Sequence, residues 1–132
     1  MRADKDARRR AAIKILICDD VPELRALYRL WLDHEPDMEL IGEAVDGAQV
    51  IDLTAELDPD VILLDIHMPL MSGFDALRAI RLSHPHTKVI VFTGFEGYQM
   101  ARAARELGAS DFIEKGTRLD EVADRIRAAA AA

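Results

Sequence analysis

The sequence predicts an α/β fold, a doubly wound (βα)5 arrangement with one parallel five-stranded sheet in the order 2-1-3-4-5. Three observations predict it. From Ile13 onward, short runs rich in Ile, Val and Leu alternate with amphipathic stretches of helical spacing, five pairs with no long linker between them, which is the pattern of βαβ units. The runs are apolar at successive positions, as strands covered on both faces are. Two of them end in acids, Asp19 and Asp20 after Ile13 to Cys18 and Asp65 after Val61 to Leu64, and ligands of open α/β sheets bind at that end of the strands. Right-handed crossovers place helices on both faces and the third strand beside the first, where strand order reverses. Asp65 is therefore expected next to Asp19 and Asp20. Carboxylates about 4 Å apart repel by about 4 kcal/mol per pair at an effective dielectric of about 20, and a divalent cation removes that strain.

Each element follows from its own residues. The strands are placed at 13–18, 39–44, 60–65, 88–93 and 110–114. The first helix opens near Pro22, a residue suited to an initial helical turn. It carries Leu24, Leu27, Tyr28, Trp31 and Leu32 at helical spacing and stops near His34, ahead of Pro36. Asp46 and Gly47 open the second helix, Val50, Ile51 and Leu57 face inward, and Asp58 with Pro59 ends it. Ser72 and Gly73 open the third, with Phe74, Leu77 and Ile80 as its buried stripe. The fourth spans 96–107 and closes at Gly108. The fifth starts after Thr117, contributes Leu119, Val122 and Ile126, and fades into Ala128 to Ala132.

With 132 residues, 50% of them hydrophobic, the chain is long enough for one domain with a real core and too short for two. That domain is placed at 13–127, between a basic leader over 1–12 and an Ala-rich end of the last helix over 128–132. The net charge of -7 is unevenly distributed, because Arg2, Lys5, Arg8, Arg9 and Arg10 oppose only Asp4 and Asp6 in the first ten residues. The leader reads as a solvated, disordered tail. The acidic remainder argues against direct contact with nucleic acid or an anionic membrane. The lone Cys18 excludes an internal disulfide and reads as a small reduced hydrophobe. No apolar stretch reaches membrane-spanning length, and the leader lacks the apolar core of a secretory signal. A cytoplasmic protein is expected.

Two further polar residues end strands four and five, Thr93 after Val89 to Phe92 and Lys115 after Phe112 to Glu114. Acids for a metal, one carboxylate as nucleophile, and an ammonium and a hydroxyl for phosphoryl oxygens make a complete phosphoryl-transfer site. Four stretches now stand in order: Ile17 to Asp20, Leu64 to Pro69 running on to Ser72 and Gly73, Phe92 to Gly94, and Asp111 to Lys115. On these the chain resembles the receiver domain of two-component response regulators over nearly all of residues 13–127.

The resemblance implies a role for each residue. Asp65 would be the phospho-acceptor, attacking a phosphohistidine on a sensor histidine kinase. Asp20 and Asp65 would bind Mg²⁺ directly, Asp19 through water, and the backbone carbonyl of His67 would complete the protein ligands; Mg²⁺ suits such hard oxygen donors. Lys115 would pair with one phosphoryl oxygen and the Thr93 hydroxyl with another, with backbone N–H groups of His67 and Gly94 as further donors. In the family, phosphorylation draws the threonine inward and an aromatic residue of strand five follows, remodelling the face of helix four, strand five and helix five; by position that aromatic is Phe112. The resemblance implies no enzyme in the ordinary sense, only phosphorylation and dephosphorylation of the domain itself. Gly116 follows the lysine where many receivers have proline, as in receivers that precede a LuxR-type DNA-binding domain, and residues 35–44 resemble the same branch. Such a domain is absent from this chain, and pairing of two copies on phosphorylation is a further expectation.

Each assignment has a plainer counterpart. Asp19 or Asp20 could cap the following helix, Thr93 could simply end a strand, and Phe112 could be core. His67 and Phe95, two residues past Asp65 and Thr93, are not carboxylates able to orient a water, so slow self-hydrolysis is expected, with Phe95 shielding the site. Tyr98 and Met100 are candidate partner contacts. One rival function is a Mg²⁺-dependent phosphatase with an aspartate nucleophile, but His67 stands where its second acid would be. A flavodoxin-like cofactor binder shares the topology, yet Asp19 and Asp20 would repel a cofactor phosphate. The third rival is an interaction module that takes no phosphate, against which the complete acid, threonine and lysine set argues.

Overall fold

The computed structural model describes residues 12–68, 72–94 and 100–132. Among them are five strands, β1 (Ile13–Cys18), β2 (Met38–Ala44), β3 (Val61–Leu64), β4 (Lys88–Thr93) and β5 (Asp111–Glu114), alternating with α1 (Pro22–Asp33), α2 (Gly47–Leu57), α3 (Gly73–Ser83), α4 (Ala101–Glu106) and α5 (Leu119–Ala131). The strands form one sheet in the order β2-β1-β3-β4-β5, every neighbouring pair parallel. This is the predicted doubly wound order.

Successive apolar residues serve opposite faces, which is why the runs do not alternate with polar ones. Ile15, Ile17, Leu63, Ile90, Phe92 and Ile113 meet Tyr28 and Leu32 of α1 and Val122 and Ile126 of α5. Leu16, Cys18, Ile62, Leu64, Val89, Val91 and Phe112 meet Val50 of α2, Leu77 and Ile80 of α3 and Ala104 of α4. Fully burying one such aliphatic side chain stabilises the fold by about 1.5–3 kcal/mol, so the two layers hold the strand ends rigidly. Arg127 adds a tie at one flank, pairing with Asp37 at 2.7 Å and Glu35 at 2.9 Å and so fastening α5 to the α1–β2 turn.

Helix boundaries follow local chemistry. Asp46 caps α2 by accepting from the Gln49 N–H at 2.9 Å, while the Gln49 side chain accepts from the Val45 N–H at 3.0 Å, a reciprocal cap. Asp58, in the left-handed conformation (φ 50°), ends that helix. Ser72 caps α3 by accepting from the Asp75 N–H at 3.2 Å. Gly108, with φ 99°, closes the turn after α4 as expected.

Some expectations need correction. Strand β3 is Val61–Leu64 rather than 60–65, β5 starts at Asp111 rather than 110, and β2 starts one residue early at Met38. In α1, Leu27 is 48% exposed, because the buried face is centred between Tyr28 and Leu32 and Leu27 lies about 120° away at about 100° per residue. The described part of α4 is six residues. The start placed at 96, Phe95, Tyr98 and residues 1–11 of the leader placed at 1–12 lie outside the described residues.

Candidate functional site

The sheet register assembles the acids. Cys18 of β1 stands opposite Leu64 of β3, and the Asp65 N–H donates to the Cys18 carbonyl at 3.0 Å, extending the ladder one residue beyond β3. Asp19 and Asp65 thus leave adjacent strands at the same level. One carboxylate oxygen from each of Asp19, Asp20 and Asp65 lies within 4.8 Å of the others. Asp19 is 2% and Asp65 4% exposed.

The three acids are held differently. Asp19 is tied at every polar group: its N–H donates to the Ala44 carbonyl at 3.0 Å, its carboxylate accepts from the Val21 N–H at 2.9 Å and pairs with Lys115 at 2.7 Å, and its carbonyl accepts from Arg25 at 2.8 Å. The bond to Val21 braces the turn that leads into α1, but it is not a helix cap: the N-cap is Val21 itself, and no side chain caps α1. Asp65 accepts from the His67 N–H at 3.0 Å through Oδ1 and from Lys115 Nζ at 3.1 Å through Oδ2. Lys115 therefore bridges the two buried acids. Asp20 is the less buried member of the three.

Electrostatics follows from this burial. Desolvation pushes the Asp65 carboxyl above the ordinary carboxylate range, against the opposing pull of the His67 N–H and Lys115. Burial disfavours the Lys115 ammonium, but the bonds to Asp19 and the charge of Asp65 outweigh it and hold its pKa above the usual lysine value. Cys18, one residue before the acids, has its thiol pushed well up by burial and then by Asp65 and Asp19.

Thr93 ends β4 beside β5, opposite Glu114, and its carbonyl accepts from the Lys115 N–H at 2.5 Å. Its hydroxyl is fully buried and, among the described residues, has no hydrogen-bond partner. Phe112 lies one strand further out, 7% exposed. It packs in the core layer under α4 and also lines a groove of about 620 Å³ with Ala101, Arg105, Glu114 and Arg125, between α4 and α5. The structure therefore brings together Asp19, Asp20, Asp65 and Lys115, with the His67 N–H on the acceptor, and places Phe112 apart from them. Sequence reasoning missed Arg25, which no spacing distinguishes from Arg29 on the same helix, and the packing role of Gly73. A Cβ on Gly73 would lie 2.7 Å from the Asp65 carbonyl oxygen and run into the Ile66 backbone.

Residues 15–127 match the family model described as response regulator receiver domain. The chain belongs to that family. This receiver is 38% identical over 117 residues to the transcriptional regulatory protein LiaR of Bacillus subtilis, covering 89% of this chain and 56% of LiaR. Among solved structures it is similar to a LuxR-family two-component response regulator from Aurantimonas sp. SI85-9A1, with 30% identity, TM-score 0.85, and 91% and 86% of the two chains covered. It is also similar to the response regulator domain of Thermotoga maritima CheB, with 33% identity, TM-score 0.85, and 92% and 98% covered. The receiver spans about half the length of curated regulators such as LiaR. Among the described residues no helix is long and apolar enough to cross a membrane.

Proposed function

We propose that this receiver accepts a phosphoryl group from a sensor histidine kinase onto Asp65, in a Mg²⁺-dependent reaction. The observation that carries the reading is the buried Asp65 carboxylate with Lys115 Nζ at 3.1 Å and two further acids within 4.8 Å. In the reaction an Asp65 oxygen attacks phosphorus, the bond from phosphorus to the kinase imidazole nitrogen breaks, and the electron pair returns to the ring. Lys115, already on the Asp65 carboxylate, is within reach of an oxygen of the incoming group. The unpartnered Thr93 hydroxyl is suited to donate to another, since a buried hydroxyl left without a bond costs about 1–3 kcal/mol.

The residues fit a magnesium ion. The donors are hard oxygens, and three carboxylates cluster with one ammonium, Lys115, to balance them. Asp20 and Asp65 would hold the ion directly, Asp19 through water, and the His67 carbonyl would complete the set. The ion supplies charge neutralisation for the acids and the transferred oxygens.

The reading extends to the output. Asp19, Asp20 and Asp65 are metal ligands, Asp65 is the acceptor, Lys115 and Thr93 hold the phosphoryl group, and Thr93 and Phe112 transmit its arrival to the face made by α4, β5 and α5. A LuxR-type DNA-binding domain, as the likeness to the LuxR-family regulator suggests, would read that change, with pairing of two copies as the activating step. The domain's phosphate chemistry is confined to its own acceptor, and a cytoplasmic location goes with a kinase-fed regulator.

Incubation with Mg²⁺ and acetyl phosphate, followed by intact mass measurement, tests the reading. One added phosphoryl group, removed by hydroxylamine and absent from Asp65→Asn, is expected. Equal labelling of Asp65→Asn, or no adduct on the parent, would overturn it.

A further inference from the structure

We propose that Arg25 is a positioning residue for the acid cluster, fixing the aim of Asp19 and Asp20 and thereby setting divalent-cation affinity; the inference rests on the metal site proposed above. Arg25 lies on α1, is 17% exposed, and touches no acid of the cluster through its own ion pair. Its Nη1 donates at 2.8 Å to the Asp19 backbone carbonyl. Its Nε faces Glu43, near the end of β2, at 3.5 Å. Glu43 is in turn held by the Arg29 fork at 2.8 and 2.9 Å. The chain of contacts runs from the sheet edge through Glu43 and Arg25 to the peptide that joins Asp19 to Asp20.

That peptide is the sensitive point. Its carbonyl belongs to Asp19 and its N–H to Asp20, so a rotation of the unit changes the aim of Asp20 relative to Asp19. The Asp19 N–H and carboxylate are fixed by Ala44, Val21 and Lys115, so the bond from Arg25 to the Asp19 carbonyl bears directly on the peptide that leads to Asp20. A charge-assisted bond from a planar guanidinium is stronger and more directional than a neutral one. Residues that orient metal ligands in this way typically change affinity by about 10–100-fold when removed.

The sign of the effect separates positioning from simple charge. A guanidinium beside an acid cluster repels a cation, so a purely electrostatic Arg25 would weaken binding and its removal would tighten it. Positioning predicts the reverse.

The test is Mn²⁺ titration followed by electron paramagnetic resonance of the free ion, Mn²⁺ sharing the preference for oxygen donors. Parent, Arg25→Gln, Arg25→Lys, Glu43→Gln and Asp20→Asn would be compared, each also unfolded in urea with chelator. Arg25→Gln is expected to bind about 10-fold more weakly, with Arg25→Lys and Glu43→Gln between it and the parent and with chelated stabilities that do not follow the same order. Arg25→Gln binding as tightly as the parent, or tighter, overturns the inference. Should Arg25→Gln fail to fold, unchanged affinity in both Arg25→Lys and Glu43→Gln overturns it equally. A parent that binds no better than Asp20→Asn overturns the metal site itself, and this inference with it.

Discussion

At Asp65 the fold holds a carboxylate that is 4% exposed, with burial raising its pKa against the pull of the His67 N–H and Lys115. Its folded pKa is above its unfolded one, so between the two values the native state binds more protons, and stability falls as pH rises through that window. At neutral pH the charged group therefore costs stability. Asp65→Asn, measured by thermal unfolding in chelator at pH 7, is expected to melt higher, by roughly 3–5 °C for each kcal/mol recovered. The gain should vanish once pH falls below the ordinary aspartate range. A variant that melts lower at pH 7 would show that Asp65 is a net stabiliser. The acids were legible in sequence because each ends an apolar run, a position that a parallel sheet turns into a rim. Arg25 was not legible, since its role lies in a bond to a backbone carbonyl and leaves no periodic trace.

The third helix shows the same division at the scale of an element. Ser72 and Gly73 were readable as a helix start, and Ser72 does cap α3. The reason for glycine was hidden, because it depends on the Asp65 carbonyl oxygen lying 2.7 Å from where a Cβ would stand. The obstructing atoms are backbone, which yields less easily than a side-chain tip. Gly73→Ala is expected to destabilise by about 1–3 kcal/mol in urea unfolding and to slow phosphorylation by acetyl phosphate, since the displaced residues are Asp65 and Ile66 themselves. An unchanged rate would separate α3 packing from acceptor geometry. The exposure of Leu27 has a similar origin: helical spacing gives a stripe, but only the sheet decides where the stripe is centred.

For the whole molecule, strand order was legible from handedness and connection length, and the site follows from it because β1 and β3 become neighbours. What eluded sequence was the neighbourhood of Phe112, in the layer under α4 and on the groove between α4 and α5, which depends on which side of β5 faces α4. Metal binding as proposed at the acid cluster would tie global stability to cation concentration: a ligand that binds only the native state at ten times its dissociation constant adds about 1.4 kcal/mol. Thermal unfolding with Mg²⁺ is expected to show that upward shift in the parent, with chelator reversing it. A variant carrying both Asp20→Asn and Asp65→Asn should show none, and an equal shift there would place the cation elsewhere. The parallel sheet also divides the surface into two rims. The turns at residues 34–37, 58–60, 84–87 and 107–110 all lie on the rim opposite the acids, about 13–23 Å away across strands of four to seven residues. With Cys18 only 1% exposed and its thiol held protonated, a cysteine introduced as His86→Cys offers a single maleimide handle, through which a dye or a tether can be attached without crowding the chemistry.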